Sequence, residues 1–371
     1  MIPVSPNIIE IEPNFIHGSH EKTGILLVNL GTPDEPSAIS LRKYLKEFLS
    51  DPRVVEIPSV VWWPILNFII LTFRPKKSAE KYASVWTKDG SPLRVHSERQ
   101  LAKVRENLIE RGMSVEVSLA MRYGNPSIAA SIDELRKKNV TKLLVLPLYP
   151  QFSASTTATV FDKVYEKFIK MRNPPALRTV KSFHDSDFYV LALADQVFNF
   201  WKSNPRPDLL LFSFHGVPVR SLYKGDPYHC HCHKTARLVA EKIGLKDGEW
   251  KVAFQSRFGK AEWLKPYTTQ VIQNLPNKGV KNLHVICPGF VSDCLETLEE
   301  IAMEAKEDFL DAGGAEFKYI PCLNDGPYGI EFLSKLIVKE LDGWPTVKLN
   351  EKVLEEKKIQ KELALKKGAT I

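Results

Sequence analysis

The stretch Leu209-Leu210-Leu211-Phe212-Ser213-Phe214-His215-Gly216-Val217-Pro218 decides the fold of this chain. Its apolar run is broken only by Ser213, which predicts a strand buried on both faces, as in a parallel sheet. His215 ends the strand, and Gly216 and Pro218 predict a turn after it. The carboxyl ends of strands in an open parallel sheet border the ligand crevice. His215 is therefore a candidate proton acceptor or metal ligand; a histidine that only caps the strand is the alternative.

A second apolar strand, over residues 283–287, leads into a predicted carboxylate-rich helix. Four acidic residues recur every three or four positions and so share one helix face: Asp293, Glu296, Glu300 and Glu304. A second face, with Leu295, Leu298 and Ala302, is expected to pack on the sheet. A carboxylate row that starts at a crevice can carry metal ions or protons. A solvated face, with Asp293 and Glu296 at the positive end of the helix dipole, is the alternative.

Length and composition predict a globular protein of two halves. The chain has 371 residues and 44% hydrophobic content, enough for a substantial core. The net charge of +7 is mild, and the chain has no arginine-rich run of the kind that binds nucleic acid. An odd count of 5 cysteines favours a reducing cytosol over disulfides. Residues 1–20 lack the pattern of a signal peptide, so a cytoplasmic protein is expected.

Two strand ends share one pattern. Asn29-Leu30-Gly31-Thr32-Pro33 follows an apolar run and matches Phe214-His215-Gly216-Val217-Pro218 in the positions of glycine and proline. The strand and turn over residues 143–156 similarly resemble those over residues 283–293. These pairs predict an internal duplication, although chance similarity of strand–helix turns is the alternative. The expected architecture is α/β, with two doubly wound Rossmann-like halves, a four-stranded parallel sheet in each, and a cleft between them.

The duplication places the predicted boundaries. Residues 1–21 and 343–371 are expected to be terminal tails, the second of them charged. Residues 22–203 and 204–342 are expected to be the two halves. Leu30 is the predicted counterpart of His215, so one wall of the cleft would be apolar and the other ionisable.

Residues 54–73 form an apolar segment that we call the lip. It contains Trp62 and Trp63, but polar residues and prolines interrupt it too often for a membrane span. Basic residues follow at once: Arg74, Lys76, Lys77 and Lys81. This combination predicts peripheral contact with a membrane, a flat apolar ligand, or both. An ordinary buried helix is the alternative.

Two further features carry open alternatives. Arg122 follows a predicted strand and either clamps a ligand carboxylate or forms a structural salt bridge. Residues 223–233 predict a loop in which His229-Cys230-His231-Cys232-His233 alternates two potential ligands. Such a loop would bind a soft metal only if it curls, and the absence of a metal there is the favoured interpretation.

Five motifs in order resemble those of the ferrochelatase family. They are Leu27–Pro33, Tyr149–Ser153, Phe212–Pro218, Phe254–Gly259 and Phe290–Leu298. The resemblance extends from about Thr23 to about Leu341 and is greatest to bacterial members with the same Asp-Cys-Leu-Glu setting. It implies insertion of Fe²⁺ into protoporphyrin IX, release of two protons, and distortion of the ring, as the last step of haem biosynthesis.

The resemblance also implies roles for particular residues. His215 and Glu296 match the family's essential histidine and glutamate, and Glu300 is expected to join them in contacting the metal. Contacts to the porphyrin are expected from Leu30, Arg74, Lys77, Ser91, Arg122, Tyr149, Trp263 and Phe290. No resident cofactor is expected, since Fe²⁺ is a substrate.

The chain departs from the animal pattern at two points. Cys294 replaces a second histidine, and the C-terminal extension has no cysteine for a [2Fe–2S] cluster; Cys230 and Cys232 leave a different cluster open but disfavoured. A cytoplasmic ferrochelatase, peripheral on the inner face of the membrane, is the function expected. The alternatives are a chelatase for coproporphyrin or cobalt and a non-catalytic haem-binding protein.

Overall fold

Two four-stranded parallel sheets organise the chain. The computed structural model describes residue 9 and residues 19–257, 259, 261–348 and 350–369. Every pairing between consecutive strands of both sheets is parallel. This confirms the predicted α/β fold of two doubly wound halves. The N-terminal tail predicted over residues 1–21 lies largely outside the described residues, and the boundaries at residues 203 and 342 remain predictions.

The first sheet has the order β2-β1-β3-β4. Its half consists, in chain order, of β1 (Lys22–Gly31), α1 (Ala38–Leu49), α2 (Ser59–Pro64), a π-helix (Ile65–Ile70), α3 (Leu71–Val85), α4 (Pro92–Glu110), β2 (Glu116–Tyr123), α5 (Ile128–Lys137), β3 (Val140–Pro147), a π-helix (Ala154–Ala158), α6 (Thr159–Phe168), β4 (Ala176–Thr179) and α7 (Asp187–Trp201).

The second sheet repeats this plan with the order β6-β5-β7-β8. Its half consists of β5 (Leu209–His215), α8 (Val219–Tyr223), α9 (Tyr228–Lys242), β6 (Trp250–Gln255), α10 (Thr268–Asn274), a 3₁₀ turn (Pro276–Lys278), β7 (Asn282–Ile286), α11 (Leu295–Leu298), a π-helix (Glu300–Ala305), α12 (Lys306–Asp311), β8 (Glu316–Ile320), α13 (Pro327–Glu340) and α14 (Glu351–Lys366). The identical order is what an internal duplication predicts, with β1 corresponding to β5.

Alternate residues of each strand enter different cores. Leu27 of β1 and Phe212 of β5 lie in one large cluster that unites both halves and includes side chains of α4, α7, α9 and α13. Leu26 packs instead toward α5 and α6, and Leu211 toward α10 and the segment after α11. Helices therefore cover both faces of each sheet, which explains why these strands read as continuous apolar runs.

The lip has one buried face and one exposed face. Trp62 donates a 2.7 Å hydrogen bond to the carbonyl of Leu49, and Leu66 and Leu71 are buried beside it. Outward on the same segment lie Val60, Val61, Trp63, Phe68, Ile69 and Phe73. The lip is thus partly the ordinary core element that was the alternative interpretation. Among the described residues, no helix is both long and apolar enough to cross a bilayer.

Two sequence-based predictions of local structure are wrong. The loop predicted through residue 233 is helical from Tyr228 onward, so the histidines and cysteines lie on α9. The carboxylate segment is not one regular helix from Asp293: α11 begins at Leu295, and a π-helix follows it. The residues that pack on the sheet are consequently Ile301, Ala305 and Phe309, rather than Leu295, Leu298 and Ala302.

Candidate active site

His215 ends β5 half-buried, with its ring oriented by the backbone. Nδ1 lies 2.7 Å from the carbonyl oxygen of Gly216, and the hydroxyl of Tyr228 donates to the carbonyl of His215 at 2.9 Å. A carbonyl can only accept, so Nδ1 carries the proton. In the neutral ring Nε2 is then unprotonated and available as a base or ligand.

Gly216 is required by close packing at this turn. A Cβ there would lie 2.8 Å from the carbonyl oxygen of Gln255 and 3.2 Å from the ring of Trp263. The rings of Trp263 and His215 are 6.4 Å apart between centroids. Glycine therefore permits β6 and Trp263 to approach the histidine, which gives the site one aromatic wall.

Gln255, the register partner of His215 on β6, connects the histidine strand to the carboxylates. Its Oε1 accepts from Ser213 at 2.8 Å, which fixes the orientation of the amide. Its Nε2 donates at 2.7 Å to the carbonyl of Glu296 and at 3.4 Å to Oε2 of Glu300. Sequence reasoning assigned Gln255 no role. Its position at the end of an apolar strand, like that of His215, was the available signal.

Glu296 and Glu300 form the acidic part of the site. Burial raises the pKa of Glu300, and the charge of Glu296 raises it further, while a hydrogen bond from Ser256 and the nearby His215 oppose the shift. Burial also raises the pKa of the Cys294 thiol well above its usual range, with Glu296 adding to the shift. The predicted histidine, both glutamates and a neutral thiol thus share one local environment.

The other two members of the predicted carboxylate row leave this site. Asp293 lies before the helix, where it accepts from Asn324 at 2.6 Å and from Tyr319 and Thr297. Glu304 lies 2.7 Å from the Nζ of Lys81 on the lip helix α3. The π-helix changes the angular spacing, so a regular α-helical ladder is wrong beyond Glu300.

Two tyrosines of the first half complete the environment of Glu296. Burial raises the pKa of Tyr44 well above its usual range, with contributions from Tyr82 and Glu296. Burial does the same for Tyr82, again with Glu296 contributing. Tyr44 lies on α1 and Tyr82 on α3, so the acidic group of the second half borders the first half, as a cleft between the halves predicts. Single tyrosines in helices carried no sequence signal for this placement.

Several predicted porphyrin contacts lie at or after strand ends or on α3. Leu30 is half-buried just before the last residue of β1, and Phe290 packs against the core of the second sheet. Within the described residues, the buried Nε1 of Trp263 and the hydroxyl of Tyr149 have no hydrogen-bond partner. Lys77 is exposed on α3, while burial lowers the pKa of Arg74 one turn earlier.

Two predicted rim residues are already engaged elsewhere. Arg122 is 6% exposed and pairs with Asp51, while its Nε donates to Thr159 at 2.7 Å. The structural salt bridge, which was the alternative interpretation, is therefore the arrangement present. Ser91 is 2% exposed and caps α4 by accepting from the backbone of Arg94 at 3.3 Å. Both side chains are therefore buried and already hydrogen-bonded to the protein.

The described residues contain no group of three or more His, Cys, Asp and Glu side chains poised to hold a metal. His215, Glu296 and Glu300 are therefore not a ready-made three-ligand cluster, and their contacts to Fe²⁺ stay a prediction. On α9, Cys230 is exposed and Cys232 is buried. The helix directs these two thiols to different surroundings, so the curled loop needed for a shared ion or cluster does not form.

Solved structures with the same architecture define the class. SirB from Bacillus subtilis with Fe³⁺ has a TM-score of 0.50 and 12% identity, covering 88% of this chain and 100% of that one. DR2241 from Deinococcus radiodurans, described as similar to chelatases, has a TM-score of 0.52 and 10% identity, with coverage of 94% and 61%. These structures share the fold of this chain, an architecture also found in chelatases.

Sequence comparison specifies the family. The Ferrochelatase family model matches residues 22–341. A ferrochelatase of Polaromonas sp. (strain JS666 / ATCC BAA-500) is 55% identical over 339 residues, 90% of this chain and 92% of that protein. One of Janthinobacterium sp. (strain Marseille) is 51% identical over 361 residues, 96% and 98%. The chain belongs to the ferrochelatase family: it is a lyase of haem biosynthesis that inserts metal into a porphyrin.

Proposed function

We propose that the chain inserts Fe²⁺ into protoporphyrin IX, with His215 accepting the pyrrole protons and Glu296 and Glu300 conducting them away. The observation that carries this proposal is the tautomer of His215: Nδ1 is held by the Gly216 carbonyl, which leaves Nε2 free to accept. The overall step forms the iron–nitrogen bonds and releases the two pyrrole protons, so no oxidant or reductant is needed.

The path of the protons follows from the neighbouring groups. Glu300 is biased toward its protonated form by burial and by Glu296, so it can take up and release a proton closer to neutral pH than an exposed carboxyl group. Ser256 and Gln255 bond to its Oε2, which orients it beside the histidine strand. Fe²⁺ is the substrate, and its proposed transient contacts are Glu296, Glu300 and, before its Nε2 takes up a proton, His215.

The ring is proposed to lie between the walls of the two halves. Leu30 supplies apolar contact on one side and Trp263, beside His215, on the other. Arg74 and Lys77 on α3 are the proposed cations for the propionates, and Tyr149 and Phe290 are proposed to line the cleft. Ser91 and Arg122 drop out of this set because both are buried and engaged.

The outward face of the lip supports peripheral membrane contact. Six apolar side chains there are more than half exposed: Val60, Val61, Trp63, Phe68, Ile69 and Phe73. Exposed Lys76 and Lys77 follow on α3, an arrangement suited to anionic headgroups. We propose a cytoplasmic enzyme that takes its apolar substrate at the inner face of the membrane.

The deciding experiment is anaerobic chelation by the purified chain. Protoporphyrin IX and Fe²⁺ are mixed with wild type, His215→Ala and His20→Ala, the last being a control for a histidine outside the site. Haem formation is followed by absorbance and porphyrin binding by fluorescence. We expect His215→Ala to bind porphyrin and form no haem, because it lacks the proton acceptor. If it retains half the wild-type kcat, His215 is not the base. Parallel reactions with coproporphyrin and Co²⁺ test the substrate assignment.

A further inference from the structure

Lys81 connects α3, the helix that begins in the lip and extends beyond it, to the acidic segment of the other half. Its Nζ donates at 2.9 Å to Oε2 of Glu299 and at 2.7 Å to Oε1 of Glu304. The Glu299 side chain is only 8% exposed and that of Lys81 34%, so this contact is partly shielded from solvent. None of the roles described above for the proposed reaction uses Lys81 or Glu299.

The two carboxylates that Lys81 bridges mark one particular backbone turn. The amide of Glu304 donates at 2.9 Å to the carbonyl of Glu299, five residues earlier, which is the hydrogen bond of a π-helix. Lys81 therefore ties together the side chains of the same two residues whose backbones close the π turn. Such turns are uncommon and are frequently found at functional sites.

The charges of this turn require a cation. The Glu299 side chain is only 8% exposed, and it and the Glu304 carboxylate both lie within 3 Å of the Lys81 ammonium group. Burial alone would lower the pKa of Lys81, but the hydrogen bonds to both glutamates raise it, so the ammonium group stays charged. Without Lys81, two like charges would face each other across the turn, one of them buried, and the turn would be less stable.

Glu300 follows Glu299 directly and is the first residue of the π-helix. Glu300 points to Ser256 and Gln255, and Gln255 pairs with His215. If the turn closed one residue earlier, as in an α-helix, the side chains that follow it would be rotated about the helix axis by about 100°, the turn of one α-helical residue. We propose that Lys81 is a positioning residue that holds the π turn from across the cleft, keeps Glu300 directed at Gln255, and thereby couples the lip helix to the proton path.

This inference rests on the proposed function for its kinetic readout but has a structural readout of its own. The test variant is Lys81→Met, which keeps the aliphatic stem and removes the charge. The matched control is Lys43→Met, a lysine exposed on the neighbouring helix α1. Hydrogen–deuterium exchange of the peptide spanning residues 299–305 reports the turn, and steady-state chelation gives kcat and KM for porphyrin.

We expect exchange in residues 299–305 to rise at least about tenfold in Lys81→Met and to stay at the wild-type rate in Lys43→Met. We expect kcat to fall about tenfold, the low end for a group that orients a reacting residue, with KM for porphyrin within about twofold. Lys81→Arg should recover most of both properties, since it keeps the charge. Glu304→Gln, whose side chain is 54% exposed, should give a smaller change in the same direction.

Several results would overturn the proposal. Exchange and kinetics of Lys81→Met equal to those of Lys43→Met would exclude a positioning role. A rise in KM with kcat unchanged would mean that α3 acts only on porphyrin binding. If Lys81→Met fails to fold, Glu304→Gln tests the proposal instead. Hydrogen–deuterium exchange equal to wild type in residues 299–305 of that variant would refute the positioning role of Lys81. A wild-type chain that does not chelate would refute the proposed function alone, because exchange would still report on the turn.

Discussion

Arg122→Leu would show whether this residue supports the fold or the ligand. Arg122 and Asp51 have side chains 5% and 4% exposed, and Tyr123 also donates to Asp51 at 2.9 Å. Burial alone would raise the pKa of Asp51, but the hydrogen bonds from Thr159 and Arg53 and the charge of Arg122 hold it below its usual range. Leucine would leave that buried carboxylate without its cation.

The expected cost is large for a single substitution. Removing one partner of a buried ion pair destabilises a protein by about 3–5 kcal/mol. At about 2 °C per kcal/mol, the lower slope expected for a large domain, the melting temperature should fall by about 6–10 °C. The matched control is Arg53→Leu, whose pair with Asp162 has side chains 41% and 40% exposed. An exposed pair contributes about 0–1 kcal/mol, so this variant should melt close to wild type.

Scanning calorimetry of the three proteins measures the stabilities, and chelation assays below the melting temperature measure KM for porphyrin. We expect a large fall in Tm with little change in KM for Arg122→Leu. A Tm equal to that of Arg53→Leu, together with a tenfold rise in KM, would refute the structural assignment and return Arg122 to the porphyrin rim.

Three further outcomes are expected. Glu296→Gln should lower kcat at least ~10²-fold, and Glu300→Gln should lower kcat less. At pH 7.5 Glu300→Gln should also raise Tm, because burial disfavours the charge that the substitution removes. The rise should be about 2–4 °C for each ~1 kcal/mol of stability gained. Equal losses of kcat, or a lower Tm for Glu300→Gln, would contradict this. Burial lowers the pKa of His284 from 6.5 to about 4. The stability that the neutral ring contributes is therefore present above pH 6.5 and lost as the pH falls toward 4. His284→Gln should flatten the dependence of Tm on pH in that window, and an unaltered slope would exclude His284 as a source of this dependence. Replacing Trp63, Phe68 and Ile69 of the lip with serine should lower binding to anionic phosphatidylglycerol vesicles more than tenfold without changing Tm. Each apolar side chain contributes about 1.5–3 kcal/mol when buried. Unchanged sedimentation of this variant with vesicles would contradict membrane contact.

Much of the fold was predictable because it depends on long apolar runs. Strands β1 and β5 are buried on both faces, and such strands produce runs that sequence reasoning recognises. The matching turns after Leu30 and His215 predicted the repeated sheet order. The charged C-terminal tail, in contrast, contains a helix, α14, which Asn350 caps by accepting from the backbone of Val353 at 3.0 Å.

The rest depended on geometry that has no sequence periodicity. A π turn after Glu299 changes side-chain directions within a segment whose acidic spacing looks α-helical. The alternation of histidine and cysteine around Cys230 resembled an irregular ligand loop, although α9 spans it. The contacts of Gln255 become visible only when β6 pairs with β5, and the engagement of Ser91 and Arg122 only when their buried partners are known.

The repeated sheet order has a consequence for the symmetry of the proposed reaction. Gly31 on β1 pairs with Tyr123 on β2, so Arg122, one residue earlier, lies beside Leu30. Gln255 pairs with His215, the counterpart of Leu30. Arg122 and Gln255 therefore occupy matching places in the two halves. Arg122 pairs with Asp51, a carboxylate whose pKa is held below its usual range, whereas Gln255 donates to Glu300, whose pKa is raised by burial. A planar ring held between these walls would exchange protons through only one of its faces. In the proposed complex, the duplicated architecture would thus place two chemically different walls against the two faces of a planar ring.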